Sequence, residues 1–195
     1  MSRLFYVIGP SGAGKDALMQ AARVALAGKP ILFAHRYITR SNADASENFV
    51  QLSSAEFEQR KRLGLFWLNW QSHQLDYAIG TEVRQWLEAG LVVVVNGSRQ
   101  ALPEVARICA QDGVTLVPVW VHCEASVLAQ RLRARGRETE AQIQERLERA
   151  KAFVPPVDAL VIDNSGALTD SVQQLLTYLQ ADLTTDVRCE SLHVD

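Results

Sequence analysis

The sequence predicts a doubly wound α/β fold, a parallel β-sheet with helices on both faces, from three observations. An apolar run, Leu4 to Ile8, stops at Gly9 and gives way to an alanine-rich helical pattern. Leu91-Val92-Val93-Val94-Val95 is continuously apolar and largely β-branched, as a parallel strand covered on both faces must be. Strand-like and helix-like segments alternate through most of the remaining chain, the pattern that such a sheet requires.

The first strand, Leu4 to Ile8, leads through a glycine loop to a helix from Gly14 to about Ala27. Phe33 to Thr39 reads as a second strand, and Ser53 to Leu63 as a helix whose opening, Ser53-Ser54-Ala55-Glu56, has capping-box spacing. Two short β-like segments, Phe66 to Trp70 and Leu75 to Ile79, precede a helix from Thr81 to Glu88 that Gly90 terminates. After the central strand come a helix (Gln100 to Ala110), a strand (Leu116 to Val121) and an Arg/Glu-rich helical stretch from Ala125 to about Phe153, interrupted near Gly136. A strand at Leu160 to Ile162 and a helix at Ser171 to Ala181 complete the pattern. Residues 1–182 are expected to form one domain, with 183–195 a polar tail, and the segment 39–79 breaks the alternation as an insertion would.

A chain of 195 residues has the length of about one domain, and 48% hydrophobic against 22% charged residues lets it bury a sizeable core. The net charge of −2 argues against long-range attraction to nucleic acid or an anionic membrane. There is neither an apolar run long enough to span a bilayer nor a secretory leader, so a cytoplasmic protein is expected. Cys109, Cys123 and Cys189 lack CxxC spacing and a histidine cluster, which makes disulfides and structural zinc poor expectations. Sixteen of the twenty basic residues are arginine. Genome composition explains such a bias as well as a site that grips phosphates with planar guanidinium forks does.

Gly9-Pro10-Ser11-Gly12-Ala13-Gly14-Lys15 matches GxxxxGK between a predicted strand and a predicted helix. Glycines let successive backbone N–H groups curl around an anion, the helix N-terminus adds its positive dipole end, and Lys15 reaches the β- and γ-phosphates of a nucleotide. The next position, which ordinarily carries a Ser or Thr hydroxyl for Mg²⁺, is Asp16. A carboxylate is itself a suitable Mg²⁺ ligand, directly or through water. The strand end after Val95 offers neutral Asn96 in place of an acid, so Asp16 is the candidate to supply the missing charge toward the metal. The alternative is that Asp16 merely favours the first helical turn.

The runs GPSGAGKD, AHRYITR (Ala34 to Arg40), ENFVQLSSAEF (Glu47 to Phe57), NGSR (Asn96 to Arg99) and RLRARGRETEAQIQERLERA (Arg131 to Ala150) together resemble guanylate-kinase-like P-loop kinases. The likeness is closer still to those members that serve phosphonate utilisation and take ribose 1,5-bisphosphate as acceptor. It implies a P-loop kinase fold, ATP as co-substrate, Mg²⁺, a small acceptor-binding insertion at about 39–79 and a mobile lid at about 131–149. Arg40 and Tyr77 fall in segments that hold the acceptor in guanylate kinases. The guanine-reading acids do not match: Asn69 stands where the FLEW pattern has glutamate, and Asn96-Gly97-Ser98-Arg99 replaces an aspartate-rich strand end. An acceptor with two phosphates and no base needs more guanidinium and less carboxylate, which makes Arg36, Arg40 and Arg99 candidates for its phosphates and adds Tyr77 and Asn96 to the expected acceptor site.

The same resemblance assigns the nucleotide to residues 9–16 with Arg131 and Arg137, and catalytic duty to Lys15, Arg135 and Arg146. Arg131 and Arg135 lie four apart on one helical face, as lid arginines would. Interleaved glutamates offer a plain alternative, a solvated helix laced with ion pairs, and Arg133 and Arg149 are read that way. His35 reads as structural, and Asn164 as a residue near the adenine. Trp67, Trp70, Trp86 and Trp120 read as core, with Trp70 nearest the acceptor segment. The competing functions are a nucleoside monophosphate kinase and a non-catalytic binding module of the same family. Oligomeric state, a homodimer included, is left open.

Overall fold

The computed structural model describes residues 2–40, 48–72, 74–136 and 138–186. In chain order the elements are β1 (Arg3–Ile8), α1 (Lys15–Ala25), β2 (Ile31–Phe33), β3 (Arg36–Ile38), β4 (Phe49–Gln51), α2 (Ser54–Arg62), β5 (Phe66–Ser72) and β6 (Leu75–Gly80). They continue with α3 (Glu82–Glu88), β7 (Val92–Asn96), α4 (Leu102–Gln111), β8 (Thr115–His122), α5 (Ala125–Arg135), α6 (Glu140–Lys151), β9 (Leu160–Asp163) and α7 (Leu168–Asp186).

Five parallel strands in the order β2-β7-β1-β8-β9 make the main sheet. Because strand side chains alternate between faces, β1 serves two cores. Leu4, Tyr6 and Ile8 join Val93 and Val95 against α3 and α4, through Val83, Leu87, Val105 and Cys109. Phe5 and Val7 join Val94, Val119 and Val121 against α1 and α7, through Leu18, Ala22, Leu175 and Leu179. Both faces are therefore covered, as the all-apolar β7 requires, and each fully buried Val or Leu contributes about 1.5–3 kcal/mol. From β1 the chain moves to β2 on one side, and it later returns to β8 on the other. The C-terminal end of β1 is thus the reversal point at which doubly wound sheets bind ligands.

A second sheet, β4-β3-β6-β5, is built by the segment that breaks the alternation. It starts at Arg36 and ends at Gly80, against the expected 39–79. The single strand expected from Phe33 to Thr39 is two strands in two sheets. The backbone of Ala34 donates to Val94 O of the main sheet at 2.9 Å, whereas that of Arg36 donates to Asn48 O beside β4 at 3.2 Å. Partners change at His35, and a continuous apolar pattern cannot signal a change of partner. Strand β4 also lacked a sequence signal. In α2 half of the expected capping box forms: Glu56 N donates to Ser53 Oγ at 3.2 Å, while the Glu56 carboxylate turns to Arg60. The indole of Trp67 donates to Asp112 Oδ2 at 2.7 Å and fastens the second sheet to the end of α4.

The Arg/Glu-rich stretch divides at Gly136, whose φ of +61° is the left-handed backbone that ends α5. A full capping box, Thr139 with Gln142, starts α6. Helix α7 runs to Asp186, so the tail expected from residue 183 begins as helix. No helix among the described residues is long and apolar enough to cross a membrane.

Leu18 on α1 is fully buried in the core between that helix and the main sheet. Leu18→Ala is expected to destabilise the fold by about 2–5 kcal/mol, read as a lowered midpoint of thermal or urea unfolding.

Candidate active site

The loop between β1 and α1 is held from behind. A Cβ on Gly9 would stand 2.2 Å from the carbonyl oxygen of Val121, so the end of β1 lies against the β8 backbone with no room for a side chain. Gly12 and Gly14 have φ of +97° and +90°, which L side chains rarely adopt. The carbonyl of Ala13 accepts from Asn164 Nδ2 at 2.6 Å and from Arg131 Nη1 at 3.3 Å. Lys15 folds back over the loop and donates to the carbonyls of Gly9 (2.9 Å) and Pro10 (3.1 Å).

Positive charge gathers at this point. Burial pushes the Lys15 amine down from 10.5 to about 8, Asp16 opposes that, and Arg36, Arg99 and Arg135 add to it. Three of the candidate arginines, one from the second sheet, one from the turn after β7 and one from α5, thus act on the loop lysine. Asp16, on the first turn of α1, accepts from Asn96 Nδ2 at 2.6 Å. The remaining amide oxygen of Asn96 is buried without a hydrogen-bond partner. Among the described residues no group of three or more His, Cys, Asp or Glu stands ready to hold a metal.

Among the residues expected to take the acceptor, the Arg36 guanidinium lies 5.2 Å over the ring of Tyr77, which stacks on Trp70 at 5.7 Å and 2°. Burial lowers the pKa of Arg36, while Asp16 supports its charge. Arg40 lies over the ring of Phe49 at 5.6 Å, and its charge also reaches Arg36. A cleft opens between α1 and the crossing to the second sheet, lined by residues that include Asp16, Gln20, Arg23, Asn48 and Asn96. Arg23 had no functional signal in the sequence.

The turn after β7 is set by a residue far away in sequence. Tyr6 Oη accepts from Ser98 N at 2.9 Å, and burial keeps this phenol well above its usual titration range. A Cβ on Gly97 would fall 2.3 Å from the Tyr6 ring, so glycine is needed there for close approach. Beyond the turn, Arg99 lies 5.2 Å over the ring of Phe153 and donates to Arg149 O at 3.4 Å.

In the expected lid, Arg131 reaches the loop and the charge of Arg135 reaches Lys15. Arg146, on α6, pairs instead with Glu138 at 3.1 Å. Arg133 pairs with Glu140 through two 2.8 Å bonds, and Arg149 with Glu145 at 3.6 Å, the surface pairs expected of both. Arg137 and Cys189 lie outside the described residues. His35, 3.5 Å from Glu82 and edge-on to Tyr37, sits in a structural cluster. Trp67 and Trp120 are buried in the core, and Trp70 and Trp86 pack against it. Asn164 was expected near the adenine; its side chain, 2% exposed, is bonded to the loop. Burial pushes the Cys109 thiol up to about 12 and raises that of Cys123, so neither is an activated nucleophile.

No family model matches the chain. It is 51% identical over 179 residues to a ribose 1,5-bisphosphate phosphokinase PhnN of Thiobacillus denitrificans, covering 91% of this chain and 92% of that protein. A protein of the same name from Yersinia pestis is 47% identical over 184 residues, with 93% of each chain covered. In Laribacter hongkongensis the relative of that name is 50% identical over 179 residues, and the match takes in 92% of this chain but 43% of the relative's length. Among solved structures, guanylate kinase from Anaplasma phagocytophilum superposes with a TM-score of 0.64 at 12% identity, over 93% of this chain and 86% of that one. That likeness is one of fold.

The lowered pKa of Lys15 fixes a sign. Between about pH 8 and 10.5 the unfolded chain still holds a proton that folded Lys15 has released, so stability without nucleotide rises with pH over that window. Thermal melts between pH 7.5 and 10 are expected to show a positive slope relative to Lys15→Met, and saturating ADP, which favours the charged amine, to flatten it.

Proposed function

The chain belongs to the ribose 1,5-bisphosphate phosphokinase family, and on that premise we infer that it transfers the γ-phosphoryl group of ATP to the 1-phosphate of ribose 1,5-bisphosphate, giving 5-phosphoribosyl 1-pyrophosphate and ADP. The observation that carries this reading is the charge balance of the site: Lys15, Arg36, Arg99 and Arg135 act together, with Asp16 the one acid among the charges that reach the lysine. Such a site suits two polyanions, and among the described residues lining the cleft beside α1 Asp16 is the one carboxylate.

The attacking atom is an oxygen of the 1-phosphate, an anion already at neutral pH, so no general base is needed. A bond forms from that oxygen to the γ-phosphorus while the bond from the γ-phosphorus to the β–γ bridging oxygen breaks, and ADP leaves with the charge. What the protein supplies is alignment and preorganised positive charge. Residues 9–16 hold the β-phosphate through their backbone N–H groups, Pro10 having none to give, Lys15 reaches the β- and γ-oxygens, and Arg131, Arg135 and Arg137 serve the nucleotide from the lid. Arg36, Arg40 and Arg99 hold the acceptor phosphates, with Tyr77 and Asn96 beside them; each charge-assisted bond contributes about 1.5–3 kcal/mol. Arg146 reaches the phosphates by turning from Glu138 as residues 131–149 close. In this reading residues 1–182 form the kinase domain and residues 39–79 its acceptor-binding part.

Mg²⁺ fits the residues present. It binds through one or two carboxylates plus substrate phosphates. Asp16, steadied by Asn96, supplies one carboxylate, and the unpartnered Asn96 oxygen suits a water of hydration. When bound, the ion neutralises charge on the β- and γ-phosphates. A cytoplasmic setting, with a small sugar phosphate rather than nucleic acid or membrane as partner, accords with an ATP-dependent reaction of this kind.

The test is ATP consumption with ribose 1,5-bisphosphate or GMP as acceptor. Formation of 5-phosphoribosyl 1-pyrophosphate is expected, and preferential GMP turnover, which the guanylate kinase fold makes the natural rival, overturns the reading. Lys15→Met should lower turnover by about 10²–10³-fold. Asp16→Ser should alter the Mg²⁺ dependence of the rate; an unchanged dependence removes Asp16 from the metal site.

A further inference from the structure

The loop that holds the nucleotide phosphates is anchored by a residue outside it. Asn164 follows β9, and its own backbone N–H continues the ladder to His122 O at 2.8 Å. Its side chain is fixed at both ends. Ser171 Oγ lies 2.9 Å from Asn164 Oδ1 and 3.0 Å from Asp163 O, and shares its proton between them. With the amide oxygen so engaged, Nδ2 is the end turned to Ala13 O, at 2.6 Å. Asn164 and Ser171 are 2% and 1% exposed, so water does not compete for these bonds. A Cβ on Gly14 would lie 2.4 Å from that Nδ2, which shows how closely the amide is pressed on the Ala13–Gly14 peptide. The preceding turn is fastened as well: Asp163 Oδ1 accepts from Ser165 N at 2.9 Å, and Ser165 Oγ accepts from Glu124 N at 2.9 Å.

The described peptides are trans, and in a trans peptide the C=O and the following N–H point in opposite directions. Whatever holds the Ala13 carbonyl outward therefore aims the Gly14 N–H the other way. We propose that Asn164, oriented by Ser171, is a positioning residue for phosphate binding: it pins the Ala13–Gly14 peptide so that the Gly14 N–H faces the nucleotide's phosphates before any nucleotide arrives. Arg131 donates to the same carbonyl from α5, at 3.3 Å. When that guanidinium turns to a phosphate, Asn164 remains as the fixed anchor and the peptide keeps its direction.

The inference rests on reading residues 9–16 as a nucleotide loop and is independent of the acceptor. Its test uses the full-length protein and two probes, ADP and base-free inorganic tripolyphosphate, titrated calorimetrically. Asn164→Ala is expected to raise the dissociation constants of both by about tenfold, as the loss of one buried hydrogen bond would, and the KM for ATP with them. The KM for ribose 1,5-bisphosphate should stay within about twofold. Ser171→Ala, which removes one hydroxyl and leaves the packing, should shift both probes the same way by about threefold. A loss confined to ADP would mean that Asn164 meets the base and would overturn the proposal. So would unchanged affinities in either folded variant, even with a lowered melting temperature. If Asn164→Ala fails to fold, Ser171→Ala decides the matter by the same criteria. Turnover of GMP in place of the sugar phosphate would sink the acceptor assignment and leave this result standing.

Discussion

The arrangement depends on holding a lysine among arginines, partly out of water, with the carboxylate of Asp16 to offset them. Burial depresses the pKa of Lys15 and the charges of Arg36, Arg99 and Arg135 depress it further, a cost that the folded protein carries. Like charges held together in a poorly hydrated place are unfavourable until an anion arrives. Each charge stands on a different element: the start of α1, β3, the turn after β7 and the end of α5. The two apolar cores on the faces of the main sheet supply the stability against which that repulsion is set.

What fixes the charges is mostly uncharged. Gly9 lets β1 meet the β8 backbone, Gly97 lets the turn after β7 close over Tyr6, and Gly14 lets Asn164 reach the loop. In each case a glycine is needed because another group occupies the place of its side chain. The aromatic rings act likewise: Tyr77 and Phe153 lie under the guanidinium groups of Arg36 and Arg99 and help to fix where those charges stand.

Features set by neighbours in the chain were legible in the sequence. The strand, glycine loop, lysine and helix of residues 4–25 read correctly because turn, dipole and periodicity are local. The apolar β7 declared its double burial in the same way. Features set across the chain were not legible. Tyr6 and Ser98 are 92 residues apart, and Ala13 and Asn164 are 151 apart, so neither bond has a local signature. Asn164 looked like a residue for the adenine because it follows a strand on the ligand side of the sheet. Its orientation follows from Ser171, whose role no spacing rule announces. The split of residues 33–39 between two sheets was hidden for a similar reason, since an extended backbone looks alike whichever partner it pairs with.

That split also acts as a phase-setter between the two sheets. Ala34 is the last residue hydrogen-bonded to the main sheet and Arg36 the first bonded to the second, with His35 alone between them. Side chains alternate along extended backbone. One extra residue at the crossing would leave both sheets able to form and rotate everything beyond it by half a turn. Arg36 would then exchange faces with its neighbour, and its charge would leave Lys15. The chain length between Phe33 and Arg36 thus sets where the Arg36 charge stands relative to Lys15.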